Sequence, residues 1–494
     1  MTTLYVKKID ETTLKFACDD VGVHYELSDY FSFYAPGYKY DPRFRNHLWS
    51  GKIHLVSSAK QTAPVGLRQQ IQKFCTDRNY HFVDQTDEQL LEKGDDVSNF
   101  DQWLESINLP FEPRDYQKKA VLESLTGQRR MLLSPTGSGK SLIIYLILRW
   151  NLYKGRRCVV IVPSTSLVEQ MVDDFKKYSV DDESWDAEKE VAKLYSKVNT
   201  DPFEVEALVT TWQSICRYDE SLYKTWDCLI VDEAHNAKAA TLKKIAEGAT
   251  NAKFKIGTTG SLTGENVHEF MLTGCFGPVC QVATTKQLQD NGQLSDMDIH
   301  MLILKYPKDE SKTLFREIGK DFNTEIDYIN KHAKRQLFTR NLACSLKGTV
   351  MILFKLREQG ETLYKLIKER VGDSRPVFHI DGRVKASLRE EIRQSINDNK
   401  GAILVASVGT SATGLNIPCI ENVILCPSKS RVRNLQSIGR GLRLSEDKTI
   451  CNVFDLVDDL SYGNHKNYSL KHGMERYNLY QSEGFKVTFN EIKF

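Results

Sequence analysis

Eight residues constrain this chain more than any others: Ser134-Pro135-Thr136-Gly137-Ser138-Gly139-Lys140-Ser141. They follow a short apolar run, Met131 to Leu133, and open a strongly apolar stretch, Leu142 to Leu148. That order predicts a strand, a glycine-containing loop and a helix. Glycines let a backbone curl until successive N–H groups face one phosphate, and the new helix adds its positive N-terminal end. In such a loop Lys140 reaches the β- and γ-phosphates, and the Ser141 hydroxyl holds Mg2+. Ser134 stands where the strict pattern G-x-x-x-x-G-K-[ST] has its first glycine. A chance loop can share this composition. The partner carboxylate motif at the end of another apolar strand, described below, argues for phosphate binding.

Length and charge bound the rest. At roughly 150 residues per domain, 494 residues give about three domains and more than one large core. The net charge is only +2, so a nucleic-acid surface has to be a local patch. No apolar run approaches the roughly 20 residues that span a bilayer, and Met1-Thr2-Thr3-Leu4-Tyr5 opens no signal-peptide pattern. A cytoplasmic protein with no membrane partner is therefore expected. The eleven cysteines are scattered. Cys275 and Cys280 lack a matching pair or a histidine spacing for zinc, so reduced core thiols are expected.

Residues 1–100 read as a small mixed α/β module, with strands at Leu4-Tyr5-Val6 and Leu14-Lys15-Phe16 between Asp-rich turns. Its most informative piece runs from Phe31 through Tyr34, Pro36-Gly37-Tyr38-Lys39-Tyr40 and Arg43-Phe44-Arg45 to Trp49 and Gly51-Lys52. Rings interleaved with cations suit nucleic acid, because rings stack on bases while cations meet phosphates. The same rings also suit the core of a small domain with the cations on its solvated face, and the sequence leaves both readings open.

Phe111-Glu112-Pro113-Arg114-Asp115-Tyr116-Gln117 predicts a helix starting at Pro113. After the phosphate loop, Arg157 to Pro163 reads as a buried strand, followed by a helix capped in Ser164-Thr165-Ser166. Ala207 to Thr211 and Cys228 to Val231 repeat the continuous apolar pattern of strands covered on both faces. This rhythm predicts a doubly wound α/β domain. The last of these strands runs into Asp232-Glu233-Ala234-His235. A carboxylate at that strand end suits Mg2+, and Glu233 can polarise the water that attacks a γ-phosphate. His235 fits either a coupling or a packing role.

With these motifs on the page, the chain resembles the superfamily-two helicases and translocases, over about residues 111–456. The resemblance implies an α/β fold of two tandem RecA-like P-loop lobes with parallel sheets, plus the small N-terminal domain. Expected boundaries are 1–100 for a nucleic-acid-binding module, 101–290 for the first, ATP-binding lobe, and 291–456 for the second. A C-terminal helical extension packed on the second lobe is expected over 457–494. Arg114 and Gln117 match the family's adenine-reading element. Pro163 to Gln170 matches the first strand-contacting motif, which implies a DNA contact at Thr165. Gly257-Thr258-Thr259-Gly260-Ser261 stands at the coupling motif, with Gly260 departing from its usual pattern.

The second lobe is expected to open with His300 to Leu304, followed by a long helical stretch from Asp321 to Leu346. Buried strands are expected at Thr349–Phe354, Val377–Ile380, Ala402–Val405 and Val423–Leu425. His379-Ile380-Asp381-Gly382 with Arg389 resembles the family's His-Gly element. Ser407 to Pro418 resembles the motif ending Gly-Leu-Asp-Leu-Pro, with Asn416 in place of Asp, and implies a DNA contact at Thr410. Gln436-Ser437-Ile438-Gly439-Arg440-Gly441-Leu442-Arg443 matches Gln-x-x-Gly-Arg-x-x-Arg in full. The resemblance casts Gln436, Arg440 and Arg443 as catalytic partners of Lys140, Asp232 and Glu233, with an arginine finger supplying about 10³–10⁵ in rate.

The Arg-Asp-Tyr-Gln start and the Asp-Glu-Ala-His box resemble the double-strand translocase side of the superfamily, beside RecG-like, restriction-translocase and XPB-like enzymes. The N-terminal module resembles that of a phage recombination and repair helicase. Together these imply ATP and Mg2+ as cofactors and branched or duplex DNA as partner, with an RNA–DNA hybrid as a further candidate. Junction migration, fork regression and unwinding of D-loops and R-loops are the implied activities of a monomer. Tyr38, Lys39, Arg43, Arg45 and Lys52 are the expected DNA contacts of the module. Two other readings stand beside this one: an RNA helicase with the same motor, and an ATP-gated annealing protein. Intact Glu233, Arg440 and Arg443 argue against the last, since a switch needs no complete hydrolytic set.

Overall fold

The computed structural model describes the chain except for residues 1, 36, 92, 136, 196, 197, 199, 238, 261, 263–268, 294, 295, 319, 320, 400, 413–416, 418 and 427–449. It divides into two compact units, Met1–Ser134 with Gly139–Ala283, and Thr284–Phe494 with Pro135–Ser138.

The first unit begins with a four-stranded mixed sheet. Its strands are β1 (Thr3–Lys8), β2 (Thr13–Cys18), β5 (Thr62–Pro64) and β6 (His81–Asp84), in the order β5-β2-β1-β6. β1 pairs antiparallel with β2 and parallel with β6. Helices Val21–Tyr30 and Arg68–Asp77 pack on it, and a separate antiparallel pair, β3 (Ser32–Tyr34) and β4 (Lys52–His54), carries the aromatic loop between its strands.

A parallel sheet follows, built from β7 (Arg129–Leu133), β8 (Cys158–Val162), β9 (Val191–Leu194), β10 (Ala207–Thr211), β11 (Cys228–Val231), β12 (Phe254–Thr259) and β13 (Val279–Gln281). Among the described residues its order is β13-β7-β12-β11-β8-β10-β9. The continuous apolar runs have the expected cause, because alternate side chains enter different cores. Val159 and Ile161 of β8 face one core; Cys158, Val160 and Val162 face the other. Each fully buried Val or Ile contributes roughly 1.5–3 kcal/mol relative to exposure. Helices Phe100–Ser106, Asp115–Gly127, Lys140–Tyr153 and Thr165–Tyr178 cover the second face.

The first face does not end with the lobe. Its core continues without a break from Met131, Val159 and Ile161 into Leu4, Phe16, Leu27, Phe31 and Phe74 of the N-terminal sheet. Gly66 permits the closest approach: a Cβ there would lie 2.1 Å from the Thr273 carbonyl oxygen. Charge joins the two parts as well. The buried Arg129 side chain pairs with Glu11 at 3.0 Å, and buried Lys255 donates to the Glu11 carbonyl at 3.1 Å.

The second unit holds another parallel sheet, of β14 (Asp296–Lys305), β15 (Thr349–Phe354), β16 (Val377–Ile380), β17 (Ile403–Ser407), β18 (Ile420–Leu425), β19 (Ile450–Asp459) and β20 (Lys486–Lys493). Their order is β16-β17-β15-β18-β19-β14-β20. The two parallel sheets and the small mixed sheet are the expected fold class.

Two local expectations are corrected. The stretch from Asp321 to Leu346 is two helices, Phe322–Lys331 and Ala333–Ser345, because His332 turns extended and its ring accepts from the Arg335 N–H. The helix expected at Pro113 starts at Asp115, with Arg114 as its cap. At the C-terminal end, helix Tyr468–Ser482 is followed by the strand that Phe485 to Phe489 predicts, β20, which pairs with β14 over eight residues. Buried Arg476 of that helix pairs with Asp455 of β19 at 2.7 Å.

Candidate nucleotide site and nucleic-acid surface

β7 delivers the phosphate loop at its C-terminal end, with the Ser134 N–H bonded to the Thr259 carbonyl of neighbouring β12 at 2.8 Å. Gly137 and Gly139 adopt φ of 87° and 78°, the left-handed region that lets the chain curl before helix Lys140–Tyr153. Gly139 has a second reason to lack a side chain. A Cβ there would sit 2.3 Å from the buried Gln117 amide nitrogen. Gln117 is held in turn by the Arg114 N–H, which donates to its Oε1 at 2.9 Å. The base-reading candidate and the phosphate loop thus touch directly. Arg114 is exposed, its guanidinium bonded to the Tyr116 hydroxyl. Ser138 is fully buried and donates to the Pro135 carbonyl. Thr136 lies outside the described residues.

Lys140 points at the strand-end acids. Its ammonium is hydrogen-bonded to Glu233 Oε1 and lies 3.6 Å from Asp232 Oδ1. Burial alone would lower its pKa, but the two carboxylates outweigh that and hold it above the ordinary lysine range. Asp232, at the end of β11, also accepts from its neighbour's N–H at 2.8 Å and from the Thr258 hydroxyl at 2.6 Å. Glu233 itself adopts a left-handed backbone, φ 47° and ψ 46°, unusual for a non-glycine residue. Buried His235 links Glu233 Oε2, at 3.3 Å, to the Thr259 hydroxyl, at 2.6 Å. Ser141, at the start of the helix, shares a 3.0 Å hydrogen bond with the Tyr178 hydroxyl.

The donor set therefore suits the triphosphate of a nucleotide and a hard divalent cation. Backbone curled by two glycines, a charged lysine, and a hydroxyl and carboxylate with oxygen atoms only are what such groups require. The sequence alone does not place Thr258, Thr259 or Tyr178 in the site. The first two lie in the coupling motif that it singled out; Tyr178 had no motif to mark it. Gln436, Arg440 and Arg443 lie outside the described residues, as do Asn416 and Pro418.

The aromatic loop near the N-terminus divides its residues between the two readings. Tyr38 stacks on Tyr34 at 4.4 Å and meets Phe44 edge-on at 4.8 Å, a small local core. Tyr40 and Leu48 instead stand 78% exposed. Arg43 pairs with Asp41 at 2.8 Å and lies over the Trp49 ring, while Lys52 pairs with Asp29 at 2.5 Å. These exposed carboxylates are held below, and their cations above, the usual ranges by those hydrogen bonds. Lys39 lies near the Tyr38 ring, and Arg45 donates to the Lys39 carbonyl. Thr165 is exposed at a helix start; Thr410 is buried, with its hydroxyl 2.7 Å from that of Ser407.

Among the described residues no group of three His, Cys, Asp or Glu side chains could hold a metal, and the cysteines are free thiols. No described helix is long and apolar enough to cross a membrane.

A phosphate loop facing a strand-end Asp-Glu pair, on the first of two parallel α/β sheets, defines an ATP-driven motor of the helicase class. Comparison with known proteins agrees. Residues 110–263 match the family described as type III restriction enzyme, res subunit, and residues 333–445 match the helicase conserved C-terminal domain. Residues 4–84 match the family described as DNA helicase UvsW, N-terminal. The chain is 33% identical over 505 residues to the ATP-dependent DNA helicase UvsW of Enterobacteria phage T4, covering 98% of each. The crystal structure of T4 UvsW aligns with a TM-score of 0.52 at 31% identity over 99% of both chains. A putative ATP-dependent helicase of Saccharomyces cerevisiae, IRC3, is 25% identical over 71% of this chain and 52% of its own. The chain belongs to the UvsW family of ATP-dependent DNA helicases.

Proposed function

We propose that this helicase remodels branched DNA: it migrates junctions, regresses forks, and unwinds D-loops and R-loops. One observation supports the reading above the rest. The N-terminal sheet, next to the aromatic and basic loop, shares an unbroken core with the sheet that presents the phosphate loop. DNA gripped by that loop would therefore move with the nucleotide site rather than on a tether.

In this reading the triphosphate lies against residues 134–139, with Lys140 at its β- and γ-phosphates. Ser141 and Asp232 hold Mg2+, which when bound neutralises charge on the phosphate oxygens. Glu233 takes the proton of the attacking water, while Arg114 and Gln117 read the base. Gln436, Arg440 and Arg443 complete the hydrolytic set. Tyr38, Lys39, Arg43, Arg45 and Lys52 grip DNA, joined by Thr165 and Thr410. The division at residues 100, 290 and 456 is the working domain plan, and a monomer in the host-cell cytoplasm is the working state.

Steady-state ATPase measured with branched DNA, linear duplex, single-stranded DNA and RNA of equal length tests this reading. Branched DNA should stimulate most. Equal or greater stimulation by RNA would overturn the reading in favour of an RNA helicase.

A further inference from the structure

The hydroxyl expected to hold the metal already has a partner that no motif marks. Tyr178 closes helix Thr165–Tyr178, and its hydroxyl lies 3.0 Å from Ser141 Oγ. The ring is fixed on several sides. It meets Tyr145 edge-on at 5.4 Å, one helical turn after Ser141 on the same face, and meets Phe111 edge-on at 5.6 Å. Phe111 lies three residues before Arg114, in the base-reading segment. A run of ring contacts thus connects that segment to the hydroxyl of the phosphate-loop serine.

A serine hydroxyl carries one proton and two lone pairs. With the phenol donating to one lone pair, the second is left for a cation and the proton for another acceptor, so the contact and metal binding are compatible. An ordinary tyrosine phenol is protonated at neutral pH and so can donate. Ser141 is otherwise free to rotate among three staggered positions.

We propose that Tyr178 is a positioning residue of the metal site, holding the Ser141 hydroxyl in the orientation that the cation needs. The proposal rests on the reading of Ser141 as a metal ligand. Partners one step removed from a metal typically account for 10–100-fold in metal affinity when lost. Tyr178→Phe keeps the ring against Tyr145 and Phe111 and removes only the hydroxyl.

The test uses the full chain carrying Glu233→Gln, so that nucleotide is not consumed, and a fluorescent ATP analogue titrated at increasing Mg2+. Tyr178→Phe should raise the Mg2+ needed for half-maximal binding about tenfold. Binding without Mg2+ should stay as it was, and thermal melting should confirm an intact fold. Added to Ser141→Ala, the same change should have no further effect. If Ser141→Ala raises the Mg2+ requirement and Tyr178→Phe does not, Tyr178 only packs and the proposal is overturned. If Ser141→Ala leaves the requirement unchanged, the metal-ligand reading falls and the proposal falls with it.

Discussion

The Thr258 hydroxyl donates to Asp232 Oδ1 at 2.6 Å, joining the ends of two adjacent parallel strands within the nucleotide site. This bond, the neighbouring N–H and Lys140 all converge on one carboxylate oxygen. In the proposed reading it fixes which oxygen of Asp232 remains for Mg2+. Thr258→Val keeps shape and burial but removes the donor. ATP turnover should fall about 10–100-fold with DNA binding preserved. Turnover within twofold of wild type would show that the bond does not orient Asp232.

Lys140→Ala should abolish turnover, because in the proposed reading its ammonium, now paired with Asp232 and Glu233, is the group that meets the β- and γ-phosphates. The variant should remain folded, since Lys140 is partly open to solvent and Asp232 and Glu233 can hydrate. Stimulated ATPase and a melting curve on one preparation check both outcomes. Near-normal turnover in a folded variant would refute the assignment.

The left-handed backbone at Glu233 predicts a stability order among inactive variants. Asn tolerates that conformation better than Gln, which is strained there by about 1 kcal/mol. Glu233→Asn should therefore unfold at higher urea than Glu233→Gln, with both lacking turnover. The reverse order would mean that the conformation stores no strain.

Buried Lys255 gives a pH signature. Burial, helped by the nearby Arg129 charge, lowers its pKa well below the ordinary lysine range. Between that lowered value and the unfolded value of about 10.4, the unfolded chain binds the extra proton, so stability rises with pH. Below the native value the burden is constant; above about 10.4 it is gone. Lys255→Met should remove this part of the alkaline rise in urea midpoints. Parallel wild-type and variant curves would contradict the account.

Replacing Arg43, Arg45 and Lys52 together by Ala should weaken branched-DNA binding and flatten its salt dependence, because each lost phosphate contact removes released counterions. Arg43 and Lys52 must first leave Asp41 and Asp29, so much of the initial attraction should come from Arg45. DNA-independent ATPase should persist. An unchanged salt slope would leave the loop as a packing element only.

How much of this was legible beforehand follows from what a linear pattern can encode. The strand ends at Leu133 and Val231 were plain, because apolar runs and the loops after them are local. The Ser164 cap was equally plain, and its side chain does accept from Leu167 N–H. The break at His332 was not, because nothing about a lone histidine marks a helix boundary until its ring caps the next turn. Tyr178 and Ser141 lie 37 residues apart, and only the packing of two helices brings them together. The shared core was hidden for the same reason: Phe31 and Met131 look alike whether they fill one core or two. The aromatic loop stayed ambiguous in sequence because its rings divide, Tyr38 packing against Tyr34 and Phe44 while Tyr40 stands exposed.

The most direct test of the central claim is to follow a fluorescently labelled four-way DNA junction with the wild-type chain and with Glu233→Gln. With ATP and Mg2+, the wild type should convert the junction to its duplex products, while Glu233→Gln should bind the junction with similar affinity and leave it intact. A wild-type chain that hydrolyses ATP on the junction without converting it, or a Glu233→Gln chain that converts it as fast, would contradict the account.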